Sequence, residues 1–273
     1  MSYKYLFDII LILLFYNFFS VSREIIIEVK NLYKKYKNFE AVKHISFEVF
    51  KGEIFGLLGP NGAGKTTILE IIETLRDETD GDVIVGGYSI NKEPEKIKAI
   101  IGVQLQSAGF HSGVSLIEIL EMFAALYGVK ADPLEVLKKV QIADKAKSKV
   151  KDLSGGQRQR FSIATTIIHK PQIIFLDEPS TGLDPQARIN LWELIKEIRD
   201  EGTTVVITTH FMDEAEELCD RVAIIDEGKI LKIDTPDNLI NELISTGFKK
   251  PKPIKEASLE DVFLDLTGKE LRE

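Results

Sequence analysis

The sequence predicts an α/β fold with a mostly parallel sheet. Short apolar runs predict buried strands, among them EIFGLL, QIIFLDEP, TTVVITTH and RVAIIDEG. Segments with apolar residues at helical spacing lie between several of these strands, among them TTILEIIETL, PQARINLWELIKEIRD and MDEAEELCD. Strand–helix alternation with short links is typical of a parallel sheet covered by helices. The stretch from Ser115 to Val140 is predicted to be helical and amphipathic.

Composition excludes several classes of protein. The chain has 273 residues, enough to bury a sizeable core, with 44% hydrophobic and 29% charged residues. A net charge of −8, from 35 basic and 43 acidic residues, argues against a nucleic-acid-binding surface. The single cysteine, Cys219, excludes an intrachain disulfide and a cysteine zinc site. We expect no nucleic-acid partner and a reducing compartment.

Residues 1–22 differ from the rest of the chain. The run DIILILLFYNFFSVS is apolar, but it falls short of the roughly 20 residues that span a bilayer and contains Asp8 and Asn17. It is open to interpretation as a secretory signal, as an anchor lying on a membrane, or as translated upstream sequence before a true start at Val21. We favour the last, because fold-like patterning begins only at REIIIEVKNL.

A phosphate-binding loop follows the strand EIFGLL. Its motif is G-x-x-x-x-G-K-[ST] and precedes a predicted helix, the context that a P-loop requires. The glycines turn backbone N–H groups toward phosphate oxygens at the positive end of that helix. Lys65 is expected to reach the β- and γ-phosphates, and the Thr66 hydroxyl to bind Mg²⁺. The predicted nucleotide-binding residues of this loop are Gly59, Pro60, Asn61, Gly62, Ala63, Gly64, Lys65, Thr66 and Thr67.

Two carboxylates follow a second buried strand, IIFL. Asp177 is placed at the carboxyl end of that strand, where open α/β sheets bind ligands. We expect Asp177 to hold Mg²⁺ and Glu178 to act as general base for an attacking water. An Asp-Glu pair alone is more often a solvated strand end, but a P-loop in the same chain favours the catalytic interpretation.

The stretch LSGGQRQR, at residues 153–160, identifies the class of nucleotide hydrolase. Ser154 is a good helix N-cap, but a cap does not require the Gly-Gly-Gln that follows. The chain lacks the [N/T]-K-x-D element of a GTPase, and a small-molecule kinase would not explain LSGGQ. With these motifs the chain resembles the ATP-binding subunits of ABC transporters over about residues 25–267. LSGGQ is that family's signature.

The resemblance implies a fold and a composite site. It implies a P-loop NTPase core with a mostly parallel sheet, an N-terminal antiparallel β part and an inserted α-helical lobe carrying the signature. Two subunits would pack head to tail, so that the signature of one closes over the ATP of the other. By resemblance the signature residues on that ATP are Ser154, Gly155, Gly156 and Gln157, and Asp184 of the D-loop reaches across the dimer.

Three further residues match the family by position. Gln106 matches the glutamine that senses Mg²⁺ and the attacking water, with Gln104 a weaker candidate. His210 matches the switch histidine on the γ-phosphate, and Tyr36 matches the aromatic ring that stacks on adenine. The implied catalytic set is therefore Glu178, His210 and Gln106, and the implied metal set is Thr66, Gln106 and Asp177.

The resemblance also implies domains and partners. We expect an apolar leader at 1–22, an ATPase domain at 23–245 with a helical lobe at about 107–170, and a linker with a C-terminal helix at 246–273. The ATPase would lie at the cytoplasmic face of the cell membrane, with a separate transmembrane permease and a second ATPase subunit, identical or different. TGLDPQAR and SLEDVFLDLTGKELR are similar to exporters of the drug-resistance and daunorubicin-efflux type. The alternative is a soluble, non-transport ABC ATPase acting as a regulatory or mechanical switch.

The membrane subunit is expected to dock on the start of the helical lobe. The segment SAGFHSGVSLIEILEMFAALY carries more apolar residues than one helix face needs, so some of them would form an exposed patch. The candidates are Phe110, Leu116, Ile119, Leu120 and Phe123, with Phe110 the first choice.

Overall fold

Two β-sheets and the helices around them make up residues 23–104 and 113–248, the part of the chain that the structure, a computed structural model, describes. A boundary between compact units falls between Pro236 and Asp237. The predicted leader, Gln106, Phe110 and the predicted C-terminal helix lie outside the described residues.

The first sheet is antiparallel and has the strand order β2-β1-β4-β5. Residues of β1 such as Ile27 and Val29 alternate with more exposed ones, as expected of a sheet with one buried face. The strands are β1 (Ile25–Tyr36), β2 (Phe39–Phe50), β4 (Asp80–Val85) and β5 (Tyr88–Ser89). The predicted N-terminal antiparallel part is confirmed.

The second sheet has the order β10-β9-β3-β8-β7-β6. Its five strands from β9 to β6 pair in parallel, and β10 is an antiparallel edge strand. The central strands β3, β7 and β8 are buried at every position, as in sheets covered on both faces. The strands are β3 (Ile54–Leu58), β6 (Ile101–Val103), β7 (Ile173–Asp177), β8 (Thr204–Thr209), β9 (Arg221–Asp226) and β10 (Lys229–Asp234).

Eight α-helices lie in the described residues. They are α1 (Lys65–Ile72), α2 (Pro94–Ile100), α3 (Leu116–Leu126), α4 (Pro133–Lys139), α5 (Gly155–Ile167), α6 (Pro185–Asp200), α7 (Met212–Leu218) and α8 (Pro236–Ser245). The predicted α/β alternation is confirmed. Among these helices, none has the length and apolar character needed to cross a bilayer.

Three helical segments differ from the sequence-based expectation. The stretch 115–140, expected to be helical, is two helices, because Gly128 takes a left-handed φ of 66° and Pro133 begins a new helix capped by Asp132. Helices α2 and α8 were not predicted. Helix α2 buries only Ile97, so it carries little apolar periodicity, and α8 buries none of its residues.

One apolar cluster joins the antiparallel sheet, α1 and the parallel sheet. It contains Ile27 and Val29 of β1, Ile68 of α1, Phe55 of β3 and Phe175 of β7. Because α1 buries side chains in this cluster, the end of β3 and the start of α1 are held rigidly. The P-loop spans that junction.

The apolar residues of α3 mostly fill the core. Leu116, Ile119 and Leu120 are at most 2% exposed, so these three of the five candidates fill the core and do not form a docking patch. The exposed apolar side chains of this region are Met122 and Leu126, together with Tyr127 just after the helix.

Gly102 lets β6 approach the helical lobe. A Cβ there would lie 2.2 Å from the backbone oxygen of Thr166 in α5. We predict that Gly102→Ala destabilises the fold by about 1–3 kcal/mol, through overpacking. At about 2–4 °C for each kcal/mol, the loss is measurable by thermal melting. The control is Gly113→Ala, whose Cβ would meet open space. Equal melting temperatures for the two variants would contradict the close approach.

Candidate nucleotide-binding site

The site lies where β3, β7 and β8 end. Parallel pairing sets Leu58 beside Thr209 and Asp177 beside Thr208, so the three carboxyl ends are level. The P-loop follows β3, Glu178 follows β7, and His210 follows β8. The register alone therefore brings these three sequence-distant segments to one edge of the sheet.

The P-loop turns into α1 at Gly64. This residue has φ 102°, and a Cβ on it would lie 2.5 Å from the Ala41 backbone oxygen. A side chain is therefore excluded both by backbone conformation and by space. Gly64 caps α1 without a side-chain hydrogen bond, and no acidic residue occupies the first turn. The first N–H groups of α1 thus face an anion site without competition from a carboxylate on their own turn.

Lys65 is held inside the loop. Its side chain is 4% exposed, and its ammonium donates to the backbone oxygens of Gly59, at 2.7 Å, and Pro60, at 3.0 Å. Its Nζ lies 3.8 Å from Glu178 Oε1. Burial lowers the pKa of Lys65, and the carboxylates of Glu178 and Asp177 oppose that shift. The other predicted loop residues range from buried Ala63 to exposed Asn61 and Gly62.

Thr66 and Asp177 form a pair of oxygen donors. The Thr66 hydroxyl lies 3.2 Å from one Asp177 carboxylate oxygen and 3.5 Å from the other. Mg²⁺ prefers hard oxygen ligands and is usually held by one or two carboxylates plus substrate phosphates. A hydroxyl and a carboxylate beside an anion-binding loop fit that donor set.

Thr208, which the sequence analysis did not identify, ties the two carboxylate residues together. Its buried hydroxyl donates to Asp177 Oδ1 and accepts from the Glu178 backbone N–H at 3.0 Å. Glu178 itself takes a left-handed φ of 47°, which is unusual for a non-glycine residue. The hydroxyl therefore fixes a backbone turn that aims Glu178 away from the strand.

Glu178 and His210 meet over the end of the sheet. His210 Nδ1 lies 3.1 Å from Glu178 Oε1, and the Thr181 hydroxyl donates to Glu178 Oε2 at 3.3 Å. The carboxylate is thus oriented from both sides. Two of the three residues in the implied catalytic set, Glu178 and His210, 32 positions apart, are therefore in hydrogen-bond contact.

Glu73 is a buried carboxyl group near the site that sequence patterning did not reveal. It caps the C-terminus of α1, and burial raises its pKa to about 8, with smaller contributions from Asp177 and Glu70. At neutral pH the neutral form therefore predominates, which avoids a second negative charge near Asp177.

The signature stretch forms the N-terminus of α5. The Ser154 hydroxyl accepts from the Gln157 backbone N–H at 3.3 Å, and Gln157 Oε1 accepts from the Ser154 N–H at 3.0 Å. This is a capping box, so Gln157 takes part in the cap that Ser154 was expected to form. Ser154 and Gly155 are exposed, and a Cβ on Gly155 would meet open space, whereas one on Gly156 would lie 3.2 Å from Ala187 Cβ.

Asp184, Tyr36 and Gln104 are the remaining predicted site residues that the structure describes. Exposed Asp184 caps α6 by accepting from the Ala187 N–H at 2.8 Å. The half-buried Tyr36 ring has Lys34 Nζ at 5.1 Å and the Arg76 guanidinium carbon at 5.4 Å from its centre. Gln106 lies outside the described residues. Gln104 is 7% exposed, and its Oε1 has no hydrogen-bond partner within them.

Comparison with known proteins identifies the family. A family described as "ABC transporter" matches residues 42–181. The linearmycin resistance ATP-binding protein LnrL of Bacillus subtilis is 40% identical over 222 residues, 80% of this chain and 71% of that protein. The daunorubicin resistance ATP-binding protein DrrA3 of Streptomyces coeruleorubidus is 34% identical, over 76% of this chain and 67% of that protein.

Solved structures agree with the fold. CbiO1 from Clostridium perfringens, part of the ABC transporter complex cbiONQ, superposes with a TM-score of 0.73 at 27% identity, covering 80% of this chain and 92% of that one. The ATP-binding cassette MJ0796, in a dimeric post-hydrolysis state bound to ADP and Pi, gives 0.69 at 28% identity, covering 77% of this chain and 98% of that one. The chain therefore belongs to the ABC transporter family, as one of its ATP-binding, ATP-hydrolysing subunits.

Proposed function

We propose that this subunit binds ATP at the edge formed by β3, β7 and β8 and hydrolyses it to drive export through a separate membrane subunit. The observation that carries the proposal is the convergence of an ammonium, a hydroxyl, two carboxylates and an imidazole at one end of the sheet. They belong to Lys65, Thr66, Asp177, Glu178 and His210.

Binding is proposed to begin at the P-loop. The N–H groups at the start of α1 and the Lys65 ammonium supply positive potential for the β- and γ-phosphates. Lys65 now donates to backbone oxygens of its own loop, so phosphate oxygens would replace these acceptors. Thr66 and Asp177 would hold Mg²⁺, which when bound neutralises phosphate charge. Tyr36 would stack on adenine.

Hydrolysis is proposed to use Glu178 as general base. Its carboxylate accepts the proton of the attacking water, and the geometry that places it there comes from Thr208 behind it and His210 beside it. Only a His210 ring protonated on both nitrogens can donate from Nδ1 to that carboxylate and from Nε2 to the γ-phosphate. Gln106 would contact the metal and the water.

A second ATPase subunit is proposed to complete the site. Ser154 and Gly155 are exposed at the N-terminus of α5. Ser154 and Gln157 cap this helix within the chain, and the space beside Gly155 is open. That surface suits the γ-phosphate of ATP bound to another copy, with Gly156, Gln157 and Asp184 beside it. The dimer would be head to tail, with two composite sites.

The relatives support an exporter. Two of them are named for resistance to linearmycin and daunorubicin, and others as Nod factor export proteins. We propose that this chain likewise works with a transmembrane permease at the cytoplasmic face of the membrane. We retain an ATPase domain at 23–245, preceded by a leader at 1–22 and followed by a linker and helix at 246–273. Met122, Leu126 and Tyr127 are exposed apolar candidates for the permease contact.

Glu178→Gln is predicted to preserve ATP binding while slowing hydrolysis by on the order of 10²–10⁴, because the base is lost but the volume is kept. Phosphate release measures the rate, and fluorescent-ATP titration measures binding. Without turnover the closed dimer accumulates in ATP and elutes at twice the monomer mass. Glu193→Gln, an exposed carboxylate on α6, is the matched control. Near-wild-type hydrolysis by Glu178→Gln would show that another group is the base.

Ser154→Arg is predicted to bind ATP as a monomer but neither dimerise nor hydrolyse it, because the arginine blocks the surface that faces a second copy. Lys65→Ala is predicted to lose ATP affinity directly. In a mixed dimer, one site combines both lesions and the other pairs an intact P-loop with an intact signature. Mixing the two variants should therefore partly restore ATPase activity. Loss of ATP binding by isolated Ser154→Arg, with no recovery on mixing, would contradict the composite site.

A further inference from the structure

We propose that Ser180, Trp192 and Glu214, here called the Glu214 network, position the catalytic pair Glu178 and His210. This inference rests on the proposed function, because it assigns a role to residues that touch neither nucleotide nor metal. The three side chains come from the loop after β7, from α6 and from α7.

The network is buried and closely bonded. Glu214 is 0% exposed and Ser180 is 1% exposed. The Ser180 hydroxyl donates to Glu214 Oε1, and the Trp192 indole N–H lies 3.1 Å from both Ser180 Oγ and Glu214 Oε1. Glu214 Oε2 has no hydrogen-bond partner in the described residues. One carboxylate oxygen therefore receives all of the contacts that compensate for burying the group.

The network joins the same two segments that the catalytic pair joins. Ser180 lies two residues after Glu178, and Glu214 lies four residues after His210. The Glu178–His210 contact and the Ser180–Glu214 hydrogen bond are thus two parallel ties between these segments. The side chains of the first tie are partly exposed, and those of the second are buried. A movement of either segment that breaks the Ser180–Glu214 hydrogen bond would therefore also displace Glu178 relative to His210.

Trp192 holds the Ser180–Glu214 hydrogen bond in position. Its indole N–H reaches both partners from α6, whose N-terminus is capped by Asp184 at the end of the same loop. The loop 178–184 is therefore held at three points: Glu178 by Thr208, Ser180 by the network, and Asp184 by its cap. Because Asp184 is exposed, the network also links the catalytic pair to a surface proposed to face the second subunit.

If the network only packed α6 against α7, any change that loosens this interface would lower kcat. The two helices are also joined by Lys196–Glu217 at 2.7 Å, a largely exposed ion pair farther along both helices. Breaking that pair loosens the same interface without touching loop 178–184, and an exposed pair contributes little stability. Lys196→Ala is therefore the matched control.

The test compares Trp192→Phe and Ser180→Ala with Lys196→Ala in steady-state ATPase assays and thermal melts. We expect the first two to lower kcat about tenfold, the effect of one hydrogen bond to a charged group, with KM for ATP unchanged. Glu214→Gln keeps the accepting oxygen and should stay within about threefold of wild type. In a Glu178→Gln background, Trp192→Phe should lower kcat by clearly less than tenfold, because the base that the network positions is already lost.

Three results would overturn the proposal. They are an unchanged kcat in both Trp192→Phe and Ser180→Ala, an equal loss of kcat in Lys196→Ala, and a full tenfold loss that persists in the Glu178→Gln background. If the wild type itself hydrolyses no ATP, the proposed function fails instead, and the network is then judged by spectroscopy.

Trp192 supplies that second measurement, because it is the only tryptophan in the sequence. Its emission reports on the indole N–H without requiring turnover. We expect ATP with Mg²⁺ to shift the emission in Glu178→Gln, and Ser180→Ala to remove the shift while fluorescent ATP still binds. Saturating ATP binding with no change in Trp192 emission would show that the network does not respond to the site.

Discussion

The parallel register of β3, β8 and β7 is the constraint on which the rest of the site depends. It sets Leu58 beside Thr209 and Asp177 beside Thr208, so that three loops leave the sheet at the same level. Lys65, Glu178 and His210 follow these strands, and Glu178 Oε1 lies 3.8 Å from Lys65 Nζ and 3.1 Å from His210 Nδ1. A slip of one residue in β7 would turn Asp177 to the other face of the sheet.

Burial requires the charges at this site to be closely balanced. Lys65 and Asp177 are almost completely shielded from water, so each needs its charge balanced within a few ångströms. Glu73 stays mostly neutral beneath them because burial raises its pKa to about 8. Thr208 and Ser180 supply hydroxyls in place of charges, which orient the carboxylates without adding to the net charge of the site.

The residues that belong to sequence motifs, and the strands that precede those motifs, could be predicted from the sequence. The P-loop, Asp177 and Glu178 each follow an apolar run that predicts a buried strand, whereas His210 was assigned by its resemblance to the family. Thr208 and Glu214 could not be found in this way. Their roles depend on hydrogen bonds across 31 and 34 positions, and a buried threonine or glutamate has no local signature. The part of Gln157 in the helix cap was not predicted, although Ser154 and Gln157 have the spacing of a capping box.

Each nucleotide site is proposed to need the P-loop of one copy of the chain and the signature of another. The chain's single cysteine, Cys219, is buried and its pKa is raised well above the ordinary value, so it is poorly reactive toward thiol reagents. Ser154→Cys in one tagged copy and Asn61→Cys in a differently tagged copy can therefore be joined by a bifunctional maleimide. With Glu178→Gln in both copies and ATP with Mg²⁺ present, the account predicts a cross-link between the two tags that is absent without nucleotide. A cross-link yield between the tags that ATP does not raise would contradict it.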